Sequence, residues 1–235
     1  MSTATPTTPS VENIPVRDKL NSLIERFGPF GLVGKAFSKF IYRKTDIVLL
    51  ELDFNKPQKK YKKSTLWESR QLTEKDLPAC ERHFSNQVDI FKEFLDLGYY
   101  SYAGFCTKTG DVIAIIWFAD KEYYDKYYYE YSFPVKAGQV FQFAAEVAEP
   151  FRNKHVSVEI SQLGWSEMQK KGINSSYCTV NESNTPSLRI QFHMGFEEIG
   201  KQLTMHELFK FKWFTHQAYQ ETRLDHLNKH KRRGR

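Results

Sequence analysis

Long apolar runs are missing from this sequence. No stretch approaches the ~20 residues that a bilayer-crossing helix needs. Cysteine is scarce. Cys80, Cys106 and Cys178 lack zinc-ligand spacing, and their odd number argues against a disulfide framework. Reduced, mostly buried thiols of a cytoplasmic protein are the expectation. Glycine and proline are also few, 12 and 9 in 235 residues, which excludes collagen-like and low-complexity architectures. The N-terminal "MSTATPTTPSVENIP" has neither the charged start nor the apolar stretch of a signal peptide, and 1–15 is expected to be a disordered tail. Internal repeats are absent. One further absence matters most. The turn "EPFRNKHVS" (149–157) has the basic character of a phosphate cradle but contains no glycine.

What is present is a globular composition rich in rings, with 13 Tyr and 19 Phe. The net charge of +6 favours anionic partners, yet much of the excess sits near the chain ends. No RNA- or DNA-reading motif accompanies it, so no specific nucleic-acid partner is expected. Residues 16–44 carry a helical pattern, with Leu20, Leu23, Ile24 and Phe27 followed by Val33, Phe37, Phe40 and Ile41 among basic residues. Such a segment can pack on its own domain, on a partner subunit in a homodimer, or weakly on a membrane surface. A strand over 46–54 and a basic linker over 55–63 complete this extension.

From 64 to 216 the elements alternate. A strand over 65–72 leads into helices over 73–84 and 88–98, the first opened by a capping-box-like Thr73/Asp76 pair. A hairpin over 99–121 turns at "KTGD", and a tyrosine-rich excursion follows over 122–138. It reads either as a substrate wall or as an aromatic ladder packing a hairpin. A buried strand (139–148), a helix (155–172), a strand (174–181), a helix (185–195) and two strands (196–214) follow. This order predicts an α/β domain on a mixed, mostly antiparallel sheet. The basic tail over 217–235 is expected to be solvated.

The turn lies between a buried strand and a helix. Helix N-termini carry unpaired N–H groups and partial positive charge, so an anion fits there, and Arg152 and Lys154 add to the field. By itself this is a common basic cap. With "VNESNTPSLRIQFHMGF" (180–196) one strand later, the segment 66–214 resembles the GNAT family of acyl-CoA-dependent N-acyltransferases. "VAEPFRNKHVS" is similar to its acyl-CoA motif, the later stretch to its next signature, and "LTEKDLPACERHF" to its first helix.

The resemblance implies acetyl-CoA or another acyl-CoA as co-substrate and an amine as acceptor. It places Arg152, Asn153, Lys154, His155, Val156 and Ser157 at the coenzyme pyrophosphate through their backbone N–H groups, and Val147 beside the pantetheine. Asn184 would contact or position the coenzyme, and Ser187 would let the next helix approach it. Glu146 becomes the candidate base, although it also reads as an ordinary strand-edge carboxylate. Two departures from the family pattern stand out, one in the turn and one on the later helix. His155 stands where the turn has glycine, with Ser157 at a glycine or alanine position. Gln191 stands where many members carry a tyrosine that protonates the leaving thiolate; Tyr177, Cys178 and His193 are nearby protonatable groups. Two readings follow: an N-acyltransferase, or a catalytically degenerate binding module on the same fold.

Overall fold

The computed structural model describes residues 42–57, 63–209, 211–220 and 223–227. The helical pattern expected over 16–44 therefore lies outside the described residues as far as Ile41. Its last three residues are strand, not helix. Tyr42 begins β1 (Tyr42–Asp53), which starts four residues before the expected strand. The reason is cross-strand partnering. The Tyr42 hydroxyl meets His206 Nδ1 at 2.7 Å, and Arg43 pairs with Glu207 at 2.8 Å. His206 in turn stacks on Trp213, with ring centroids 5.1 Å apart. Among the described residues, 42–44, 206–209 and 211–213 form a small unit of their own.

The larger unit takes in 45–205 and the described residues from 214 onward. Its strands are β2 (Trp67–Gln71), β3 (Tyr100–Cys106), β4 (Val112–Ala119), β7 (Gln139–Val147), β8 (Ser175–Asn181) and most of β1, β9 (Glu197–Leu208) and β10 (Phe211–Ala218). The eight-stranded order is β10-β9-β1-β8-β7-β4-β3-β2, with β1 antiparallel to β8 and β7 parallel to β8. A separate two-stranded ribbon, β5 (Tyr123–Asp125) with β6 (Tyr131–Phe133), holds the tyrosine-rich excursion. The mixed, mostly antiparallel sheet agrees with the sequence-based expectation.

β4 is buried on both faces along its whole length. One face, with Ile116 and Phe118, packs under α3 (Val156–Lys170) and α4 (Thr185–Met194). The other, with Ile115 and Trp117, packs under α1 (Glu81–Phe84) and α2 (Val88–Asp96). The expected helix over 73–84 is a 3₁₀ segment, Glu74–Cys80, followed by the single turn α1, because Pro78 inside it removes an N–H donor. The Thr73/Asp76 start holds: the Asp76 carboxylate accepts from the Thr73 N–H at 2.9 Å and its hydroxyl at 2.7 Å. Arg70 pairs with the same carboxylate at 2.7 Å and holds its pKa down, to about 2.

α3 is fixed at both ends. In its first turn, Glu159 accepts from Trp67 Nε1 at 3.0 Å and Ser69 Oγ at 2.8 Å on β2. Further along, the buried Trp165 Nε1 donates to Gln142 Oε1 on β7 at 2.8 Å. Between them Gly164 lies so close to the sheet that a Cβ there would come within 2.4 Å of the Phe118 ring. The C-terminal tail, expected to be solvated, is partly core. Leu224 and Leu227 are buried in the α3–α4 layer, because apolar side chains gain more there than in water. No helix among the described residues is long and apolar enough to cross a membrane.

Candidate active site

The central feature is an opening in the sheet. β7 and β8 pair from Gln139↔Ser175 to Gln142↔Cys178 and no further, although β7 continues to Val147 and β8 to Asn181. The other edge of β7 explains the divergence. Its register with β4 steps from Trp117↔Phe143 to Ile115↔Glu146, so two residues, Ala144 and Ala145, face one on β4. This is a β-bulge. It bends the strand and increases its twist, turning its end away from β8. Ala144 takes the left-handed conformation at φ 44°, and both alanines are exposed. On the β8 side, the edge of β7 beyond Phe143 thus faces a gap rather than a partner strand.

The candidate phosphate turn stands at the end of this gap. After Val147 the chain makes a 3₁₀ turn, Glu149–Phe151, and enters α3 at Val156. Asn153 and His155 both adopt left-handed φ, 63° and 62°. Glycine reaches this region at least cost, and Asn more readily than most side chains. The turn therefore keeps a glycine-type backbone path without glycine. Arg152 is exposed, and its Nε donates back to the Val147 carbonyl at 3.4 Å. Lys154 Nζ sits 5.1 Å from the centre of the Phe151 ring. The His155 and His193 rings approach to 6.5 Å.

Val156 differs from its neighbours. Its side chain is core, packed so close to Gly104 on β3 that a Cβ there would come within 2.8 Å. Only its backbone can face a ligand. Ser157 is half-buried, and its carbonyl accepts from Ser161 Oγ at 2.7 Å. Asn184 caps α4, its side chain accepting from the Ser187 N–H at 3.2 Å. That cap uses the side-chain oxygen and leaves the amide nitrogen's chemistry available.

Glu146 lies just before the turn, and Gln87 Nε2 donates to its Oε2 at 2.8 Å. Both line a cleft of ≈ 340 Å³ that also reaches Ala144 and, across the gap, Thr179 of β8. Gln87 carries no sequence signal. It sits between two helical segments and becomes a partner of Glu146 only through tertiary folding. The excursion was legible as a candidate wall, and Tyr123, Tyr127, Tyr128 and Tyr129 do line this cleft. Some of its rings also ladder: Tyr123 stacks on Phe143 at 4.0 Å.

Two of the nearby protonatable groups are poorly placed for acid chemistry. Cys178 is buried in the core, and desolvation pushes its thiol well above the usual range. Burial likewise raises Tyr177, whose hydroxyl donates to the Pro134 carbonyl. Gln191 is buried on α4. No cluster of metal-ligating side chains occurs among the described residues.

No protein-family model and no curated protein sequence matches the chain. Solved structures match it by shape. A GCN5-related N-acetyltransferase from Sphaerobacter thermophilus superposes with a TM-score of 0.52 at 12% identity, over 78% of this chain and 58% of that one. A tandem GNAT protein from the clavulanic acid biosynthesis pathway gives 0.50 at 10% identity, over 88% and 62%. A Drosophila protein gives 0.51 at 11% identity, over 75% and 56%. The chain thus spans less than two thirds of the length of each of these structures. The bulged strand, the opened sheet and the strand-turn-helix at its end belong to a chain built on the GNAT-type N-acetyltransferase fold.

Proposed function

We propose that the protein transfers an acyl group, acetyl in the simplest case, from acyl-CoA to an amine. The observation that carries this reading is the end of β7–β8 pairing at Gln142↔Cys178, with the turn at one end of the gap and Glu146 facing the cleft beside it. An extended pantetheine arm has amides that can bond to an open strand edge, here that of β7 around Val147. The pyrophosphate then falls at the turn. There the N–H groups of residues 153–157 and the start of α3 attract negative charge, and Arg152 and Lys154 reinforce it. Because these contacts come from the backbone, His155 and Ser157 can replace small residues without removing them. On this reading Asn184 and Ser187, at the start of α4, contact the coenzyme and let that helix approach it.

In the reaction, Glu146 takes one proton from the acceptor ammonium and passes it to solvent. The freed amine attacks the thioester carbon. A backbone N–H of bulged β7 donates to the oxygen as negative charge develops there. The C–N bond forms and the C–S bond breaks. The nitrogen's second proton, released as the amide forms, goes to the departing thiolate. This route supplies the proton that Gln191 cannot. Gln87 holds Glu146 toward the cleft, which limits the orientations that must be frozen out.

The buried amide of Gln191 also suits a second reading, a binding module that keeps the coenzyme turn without turnover. An assay of free thiol released from acetyl-CoA on addition of primary amines separates the two. Amine-dependent release supports the transferase. Binding of acetyl-CoA without release for any amine supports the module.

A further inference from the structure

The cleft beside Glu146 has a chemistry of its own. Among the described residues, two carboxylates, Asp125 and Glu146, line it, and no Lys, Arg or His does. The remaining lining is dominated by rings. Phe94 meets Phe143 edge-to-face at 5.2 Å, and Tyr123 stacks on Phe143 at 4.0 Å. These contacts fix the wall before any ligand arrives. The ribbon is fastened as well. Lys126 pairs with Glu93 at 2.6 Å, and the Tyr127 hydroxyl donates to the same carboxylate. Tyr177 on β8 ties down the Pro134 carbonyl, just past β6.

Asp125 is held by its own turn. Its Oδ1 accepts from the N–H groups of Tyr127 at 3.0 Å and Tyr128 at 2.9 Å. That fixes the carboxylate in the cleft wall and leaves Oδ2 for a ligand. Glu146 is fixed the same way, with Gln87 on Oε2. At ≈ 340 Å³ the space is near the lower end of small-molecule sites, ~300–1,000 Å³.

From this wall we infer that the acceptor is a monoamine whose ammonium is carried on an aromatic body, with Asp125 as the residue that selects for it. The inference rests on the acyl-transfer reading of the same cleft. The carboxylates favour a cation, and the negative π-faces of the rings add to the attraction. Flat apolar surface on the ligand gains by leaving water against these rings. A polyhydroxylated, polycationic sugar fits badly, because most of its polar groups would be desolvated against carbon without partners. The amine end points to Glu146, where the proton is removed, and Asp125 holds the charge until then.

The test uses the whole protein and three probes: phenethylamine, kanamycin and a lysine-containing tripeptide. Direct calorimetric titration of each amine is followed by the acetyl-transfer assay. Phenethylamine should bind at least about ten-fold more tightly than the other two and have the highest kcat/KM. The Asp125→Asn variant keeps an Oδ1 for the Tyr127 and Tyr128 N–H groups, so the ribbon stays capped. It should raise KM for phenethylamine about ten-fold while kcat and acetyl-CoA affinity hold. Preference for kanamycin or the peptide overturns the inference, as does an unchanged KM in Asp125→Asn. If acetyl-CoA does not bind at all, the acyl-transfer reading fails. The amine titrations still judge the cleft in that case: selective phenethylamine binding that weakens in Asp125→Asn upholds its ligand class, and its absence overturns it.

Discussion

The proposed coenzyme turn and the aromatic cleft meet at Glu146 but are built from different materials. The turn offers backbone N–H groups, arranged by the left-handed Asn153 and His155 and by the start of α3. The cleft is side chains: stacked rings, two carboxylates and two glutamines, Gln87 and Gln142. A site made of backbone tolerates changes of residue as long as the φ angles survive. A site made of side chains does not. This difference accounts for a chain that lacks the glycine expected at 155 yet follows the path a glycine would take.

Substitutions at the two sites should therefore differ in size. The largest effect is expected at the junction. Glu146→Gln should lower kcat by about 10²–10⁴-fold, the range of general-base contributions, with acetyl-CoA affinity unchanged. Stopped-time thiol release beside calorimetry measures both. Removing the partner on the cleft side, Gln87→Ala, should lower kcat by less, on the order of ten-fold, because Glu146 keeps its chemistry and loses its orientation. It should leave the acetyl-CoA Kd alone; a changed Kd would mean that cleft and turn are not separable.

On the turn side, Arg152→Ala should weaken acetyl-CoA about ten-fold or less, and more at low salt than at high, since an exposed charge is screened. The smallest effect is the most informative. His155→Gly relieves a left-handed conformation that costs an ordinary side chain roughly 1–2 kcal/mol, against a comparable entropic cost of glycine in the unfolded chain. Coenzyme affinity should stay within about two-fold, because the N–H groups remain. A ten-fold loss would show that the imidazole, not the backbone, holds the anion.

One stability prediction concerns the segment that leads to Gln87. Asp76 has its carboxyl held at about 2 by Arg70, below the usual 3.8. A depressed pKa contributes stability above 3.8 that is lost as pH falls through 2. The stability difference between the protein and Asp76→Asn should be full at pH 6 and shrink between pH 4 and pH 2, as chemical denaturation at each pH would read.

Much of the fold was legible because strand and helix periods are local. The hairpin turning at "KTGD", the strand over 139–148 and the helices closed near Gly172 and Gly195 all appear within a residue or two of the expected positions. Three things were not. β1's place between β8 and β9 is a matter of long-range pairing, which its own pattern does not encode. The bulge lies at two alanines, residues without turn chemistry, and it is imposed by the register with β4. Gln87 meets Glu146 across 59 positions of sequence. In the candidate site, Arg152, Lys154 and Glu146 could be singled out from charge beside a strand-to-helix junction. Asn184 was singled out as well, and its cap on Ser187 adds a structural duty. Val156 was assigned through its backbone N–H, and its side chain has a separate duty against Gly104 and in the core.

The central claim is that the gap between β7 and β8, with the glycine-free turn at its end, is an acyl-CoA site. Calorimetric titration of the protein with acetyl-CoA tests it most directly. The account predicts one molecule bound per chain with a Kd on the order of micromolar, weakened in an Arg152→Ala, Asn184→Ala double variant that remains folded. No measurable binding of acetyl-CoA, or binding unchanged in the double variant, would contradict it.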